Sequence, residues 1–145
     1  MSLFIPPPFM MGMLGEISRQ SGAVSVVEPL WGLWDDIELD PAKPLESLAR
    51  KAFLFPEAAT YGPLNERILS ATGQCVRDFK IDGAIFYAHV GCRQGAGLIK
   101  TYRDILSRMD VPLLVLDMDL LDETVASPDE VKSKLLQFVE LLEDR

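Results

Sequence analysis

The sequence predicts an α/β fold, a short parallel sheet of about four strands with helices on both faces. Two apolar runs, Ala84-Ile85-Phe86-Tyr87-Ala88 and Leu113-Leu114-Val115-Leu116, are too short for helices and lack the alternation of a half-exposed strand. Segments with apolar residues at helical spacing alternate with such runs, the pattern of parallel strands joined by covering helices. The 145 residues, 48% hydrophobic and 25% charged, suit one domain with a core of its own.

The elements follow in order. Ser2 to Ile5 can supply at most a very short first strand. Phe9, Met10, Met13, Leu14 and Ile17 recur at helical spacing, and Gly22 is the predicted stop. Ala23-Val24-Ser25-Val26-Val27 is β-branched and bounded by turn formers, which predicts a buried strand. A polar, aromatic stretch from Trp31 to Pro44, with Trp34, Asp35, Asp36 and Asp40, reads as an irregular loop before a helix from Leu45 to about Phe53. A second loop carries Pro56, Gly62 and Pro63.

Leu64, Ile68, Ala71, Cys75 and Phe79 then form one helical stripe. Asp82-Gly83 turns the chain into the strand at 84–88. Gly91, Gly95 and Gly97 open a helix whose buried face is Leu98, Ile99, Tyr102, Ile105, Leu106 and Met109. The strand at 113–116 follows. In the last helix Ser127 is placed to cap, Pro128 suits the first helical position, and Glu130 completes a capping box. Val131, Leu135, Phe138, Val139 and Leu142 face inward. The sum is a three-layer, Rossmann-like or flavodoxin-like arrangement over residues 1–145.

Charge narrows the partners. A formal charge of −8, without a run of Lys or Arg, repels phosphate backbones and anionic membrane surfaces, so no nucleic acid and no membrane partner is expected. Two cysteines do not make a disulfide framework, which predicts a reducing, cytoplasmic setting. Residues 1–15 carry no charge and include Pro6-Pro7-Pro8, which suits neither a signal peptide nor a membrane span. Because the chain opens almost directly on a helix, its amino terminus reads as a domain boundary.

Ligands of open parallel sheets gather at the carboxyl ends of the strands. Two segments fall there: His89-Val90-Gly91-Cys92-Arg93-Gln94-Gly95-Ala96-Gly97 and Asp117-Met118-Asp119. Cys92 lies where a strand hands over to a helix, beside Arg93 and between glycines. Helix N-termini and neighbouring cations favour thiolate, so the position suits a metal ligand or a nucleophile; an ordinary turn residue is the competing reading. The same glycines, Gly91 first, and Arg93 can instead hold an anion, although their spacing is not a dinucleotide fingerprint and no P-loop lysine follows. Cys75 sits in an apolar stripe and reads as a buried structural thiol. His89, the only histidine, reads as a hydrogen-bonded structural residue. Asp117 and Asp119 can bind a cation or cap the next loop. No catalytic residue is assigned.

The run Asp82-Gly83-Ala84-Ile85-Phe86, then Cys92, then Val111-Pro112-Leu113-Leu114-Val115-Leu116-Asp117-Met118-Asp119 resembles the closing half of subunits of the 2-hydroxyacyl-CoA dehydratase and benzoyl-CoA reductase family, of the 2-hydroxyglutaryl-CoA dehydratase D-component type. Ser21 to Glu28, Asn65-Glu66-Arg67 and the ending Gln137-Phe138-Val139-Glu140-Leu141-Leu142-Glu143 also fit. The resemblance implies the second, C-terminal domain of a two-domain subunit. It implies that Cys92 is one thiolate ligand of a [4Fe-4S] cluster, with Gly91 and Arg93 beside it and the other ligands in a cysteine-bearing N-terminal domain or companion subunit. It implies an ATP-dependent activator, an acyl-CoA substrate, and radical dehydration or reduction of that thioester. The chain alone is then expected to be catalytically silent, and a possible homo-oligomer. The alternatives are a non-catalytic α/β binding domain with an anion-binding glycine-rich loop, and a flavodoxin-like domain for a phosphate-bearing cofactor.

Overall fold

In the computed structural model, residues 1–29, 38–54 and 66–145 are described; Trp31, Trp34, Asp35, Asp36 and the loop with Pro56, Gly62 and Pro63 lie outside them. The elements are β1 (Ser2–Leu3), a 3-10 turn (Pro8–Met10), α1 (Met11–Ser21), α2 (Pro44–Leu54), α3 (Glu66–Asp78), β2 (Ala84–His89), α4 (Arg93–Arg108), β3 (Leu113–Met118) and α5 (Pro128–Glu143). Among the described residues no helix is long and apolar enough to cross a membrane.

The sheet is parallel throughout, in the order β1-β2-β3. β2 is central and alternates between two cores. Ala84, Phe86 and Ala88 face a cluster with Leu3 from β1, Cys75 and Val76 from α3, and Leu98, Tyr102 and Leu106 from α4. Tyr87 points the other way, into a cluster with Met10, Ile17 from α1, Leu116 and Met118 from β3, and Val131 and Leu135 from α5. A strand buried on both faces needs apolar side chains on both, which is why it reads as an unbroken run. Burial raises the hydroxyls of Tyr87 and Tyr102 to about 12, so both stay neutral donors within their cores.

α1 ends where predicted, with Gly22 in the left-handed conformation at φ 74° and its N–H on the Ser18 carbonyl. α1 and α5 share one side of the sheet, bridged by Lys132 Nζ and Glu16 Oε1 at 2.9 Å. α2 buries only Ser47, whose hydroxyl accepts from the Asp40 N–H at 3.0 Å, and leaves Leu45 and Phe53 exposed.

Three expectations are corrected. The segment at 23–27 is not a strand, so the described sheet has three strands rather than about four. It runs beside β1 and makes one backbone bond to it, Ser2 N–H to the Val27 carbonyl at 3.2 Å, with Ser2 and Ser25 hydroxyls 2.8 Å apart. A two-residue strand turns only one residue outward, so no ladder can form, and Val24 and Val26 stand exposed instead of buried. Second, Phe79 is half exposed: α3 stops at Asp78, and a helical stripe has meaning only while the helix lasts. Third, Ser127 starts α5 with its carbonyl, 3.0 Å from the Val131 N–H, but its side chain caps nothing. Glu130 pairs with Lys134 at 2.6 Å one turn on, which removes it from the box.

Candidate functional site

The Cys92 turn lies at the carboxyl end of the central strand and is fastened by its own backbone. The Cys92 N–H donates to the His89 carbonyl at 3.0 Å, and the Cys92 carbonyl accepts from the Ala96 N–H at 3.0 Å. Gly91 makes the turn between these anchors at φ 85°, where a Cβ would cost roughly 1–2 kcal/mol. The side chain of Cys92 caps α4: its Sγ accepts the Gly95 N–H at 3.3 Å. The sulfur therefore meets the positive end of the helix. Cys92 is a free thiol and partly buried, in contrast to Cys75, which is fully enclosed. Burial, with the Asp78 charge behind it, pushes the Cys75 thiol up and keeps it protonated.

Gly95 sits where the turn meets β1. A Cβ there would stand 3.3 Å from Cys92 Sγ and 3.4 Å from Phe4 Cε1, so the absence of a side chain is what lets the three groups pack. Phe4 has φ 63°, an uncommon backbone for an aromatic residue, and its ring lies 4.9 Å from that of Phe86. Phe4 is the residue that sequence reading missed. It is distant from Cys92 along the chain, and only the pairing of β1 with β2 brings it under the turn.

The other predicted residues divide. Arg93 is the first residue of α4; its side chain is exposed and forms no ion pair among the described residues. His89 is structural, as expected: Nε2 lies 2.8 Å from the Ile5 carbonyl, which can only accept, so Nε2 carries the hydrogen. Its Nδ1 is buried without a partner. Asp117 is exposed on the end of β3. Asp119 caps the following loop by accepting the Leu121 and Asp122 N–H groups, each at 2.9 Å, and Asp122 accepts from Thr124 in the same way. Loop capping therefore accounts for Asp119, and among the described residues no three ligating side chains gather into a metal site.

The N–H donors hold the Asp119 carboxyl below its ordinary value of 3.8, and the Thr124 hydroxyl and N–H do the same for Asp122. A depressed carboxyl stabilises the fold above its unfolded value and loses that effect as pH falls through the folded value. Asp119→Asn is thus expected to lower the melting temperature slightly at neutral pH. The gap from the unmodified chain should close in acid below the ordinary aspartate value, as melting curves across that range will register. A gap that widens in acid would contradict the assignment.

The turn offers one sulfur, presented by a rigid backbone at a helix N-terminus, with an arginine next in sequence. No individually curated protein matches the chain. A family model does, over residues 5–142, nearly the whole chain, so the chain belongs to the family described as 2-hydroxyglutaryl-CoA dehydratase, D-component.

Proposed function

We propose that the chain is the iron–sulfur-contributing, C-terminal domain of a 2-hydroxyacyl-CoA dehydratase or benzoyl-CoA reductase-like subunit, working in the cytoplasm and inactive as an isolated chain. Family membership supports the reaction class, and one observation carries the site: Cys92 Sγ caps α4, partly exposed, where the Gly95 N–H can stabilise a bound thiolate. The residues fit a [4Fe-4S] cluster as one ligand of a set. With no further ligating cluster among the described residues, the remaining thiolates come from a cysteine-bearing N-terminal domain or a companion subunit.

A cluster held there would pass on a low-potential electron, received from an ATP-dependent activator, that reduces the acyl-CoA thioester. The chain's own residues do simpler work. The backbone of Cys92 is held by its bonds to the His89 carbonyl and the Ala96 N–H, which fixes where the side chain starts. The Gly95 N–H bonded to that sulfur draws charge from it, which raises the potential of a cluster ligated there. Gly91 allows a bulky group to approach the backbone, and the exposed Arg93 can offset the negative charge of a cluster or of a coenzyme A phosphate. Phe4 and Phe86 close the floor beneath the turn against water.

The test is anaerobic reconstitution of the chain together with the cysteine-bearing domain. Cys92→Ser is expected to remove most of the bound iron and the visible cluster absorbance, whereas Cys75→Ser leaves both in place. Equal iron in the Cys92 variant and the unmodified protein would end the assignment.

A further inference from the structure

His89 is tied at both its backbone and its ring. The backbone carbonyl accepts the Cys92 N–H at 3.0 Å, and ring Nε2 donates to the Ile5 carbonyl at 2.8 Å. Nδ1 is buried and has no partner among the described residues, so the ring is held by its Ile5 bond.

That bond fastens a segment that the sheet ladder does not hold. β1 stops at Leu3, because Phe4, at φ 63°, leaves the extended conformation. Pro6, Pro7 and Pro8 follow, and none has an N–H to give to a neighbouring strand. The Phe4-Ile5 step is tied to the carboxyl end of β2 through the His89 ring instead.

Phe4 carries the tie to the sulfur. Its ring lies 4.9 Å from that of Phe86, and its Cε1 and Cζ come within 3.4 and 3.6 Å of where a Gly95 Cβ would stand. Cys92 Sγ approaches the same point to 3.3 Å and accepts the Gly95 N–H. The contacts close a circuit from the His89 ring through Ile5, Phe4, Gly95 and Cys92 back to the His89 carbonyl. A left-handed backbone at an aromatic residue persists only where its surroundings hold it. Release of Ile5 therefore lets Phe4 relax and its ring leave Gly95.

We propose that His89 is a positioning residue for Cys92: its Nε2–H, acting through Ile5 and Phe4, keeps the Gly95 N–H set against the cysteine sulfur. The positioning belongs to the chain itself. Its use, to hold a cluster ligand in place, rests on the function proposed above for Cys92.

Gln places a side-chain N–H where Nε2 stands, whereas Asn reaches only to the place of Nδ1, which bonds nothing among the described residues. His89→Gln should keep the arrangement and His89→Asn should lose it. Nuclear magnetic resonance of the 145-residue chain is expected to show the Phe4 ring beside Gly95 in the unmodified protein and in His89→Gln. In His89→Asn that proximity disappears and the Gly95 amide exchanges at least about tenfold faster, while amides of the β2–β3 ladder change less. Phe4→Ala breaks the circuit at another point and should free the Gly95 amide with the Ile5–His89 bond intact. Reconstituted anaerobically with the cysteine-bearing domain, His89→Asn should hold less iron than His89→Gln.

Equal behaviour of the Gln and Asn variants overturns the proposal, as does a Gly95 amide that responds no more than the ladder does. Full iron in His89→Asn, beside iron lost from Cys92→Ser, overturns it too. Iron kept by Cys92→Ser counts against the ligand role of Cys92 instead, and the Gly95 amide then decides the positioning.

Discussion

Phe86→Ala is expected to destabilise the chain by about 3–5 kcal/mol, the usual loss for a buried aromatic residue cut to alanine. Phe86 has no exposed surface, and it sits in β2, the central strand of the described sheet. Its ring meets that of Phe4 at 4.9 Å and that of Tyr102 at 5.6 Å, so it joins β1 to α4 through β2. Neither neighbour can close the gap cheaply. Phe4 has an unusual backbone that the contact helps to hold, and Tyr102 is enclosed within α4. Domains of this kind are stable by only about 5–15 kcal/mol, so the loss takes about a fifth or more of the total. Urea unfolding should show the midpoint falling with an unchanged slope. A loss below about 1 kcal/mol would mean that the packing around β2 is looser than the structure has it.

Two glycines in the first turns of α4 should respond to substitution with opposite sign. Gly95→Val places a branched side chain where a single Cβ already stands 3.3 Å from Cys92 Sγ and 3.4 Å from the Phe4 ring. Either the sulfur turns out of its bond to the Gly95 N–H or the ring lifts away from Phe86, and overpacking of this kind costs about 1–3 kcal/mol. Gly97 has open space around its missing Cβ and lies within the helix, so Gly97→Ala should stabilise by up to about 1 kcal/mol. Chemical denaturation of both variants checks the pair. If Cys92 ligates the proposed cluster, the Gly95 variant reconstituted with a cysteine-bearing domain should also hold less iron, while the Gly97 variant holds as much as the unmodified chain. Equal effects of the two substitutions would remove the argument that Gly95 is there to make room for the sulfur.

Much of this arrangement is legible in the chain. β2 and β3 are unbroken apolar runs because a parallel strand covered on both faces has no polar side. The stripe of α4 and the inward face of α5 follow from spacing, and the burial of Cys75 follows from the same rule. Cys92 was recognisable as a candidate because strand, glycine, cysteine and arginine succeed one another locally. What failed did so for nearby reasons of partner choice. The segment at 23–27 has strand composition, but the strand it would join is two residues long. Glu130 has the capping spacing, but a lysine one turn further on takes its carboxylate.

The sequence by itself determined the fold class, the central strand, the helix over which Cys92 sits and the family to which the chain belongs. Periodicity and local turn chemistry act over a few residues and leave their mark in every stretch of the chain. Tertiary structure alone decided that Phe4 lies beneath the cysteine turn, that Gly95 must stay bare, and that the His89 ring meets the Ile5 carbonyl. Those facts depend on which strand lies beside which and in what register. Strand pairing joins residues far apart in the chain, and no local pattern records it.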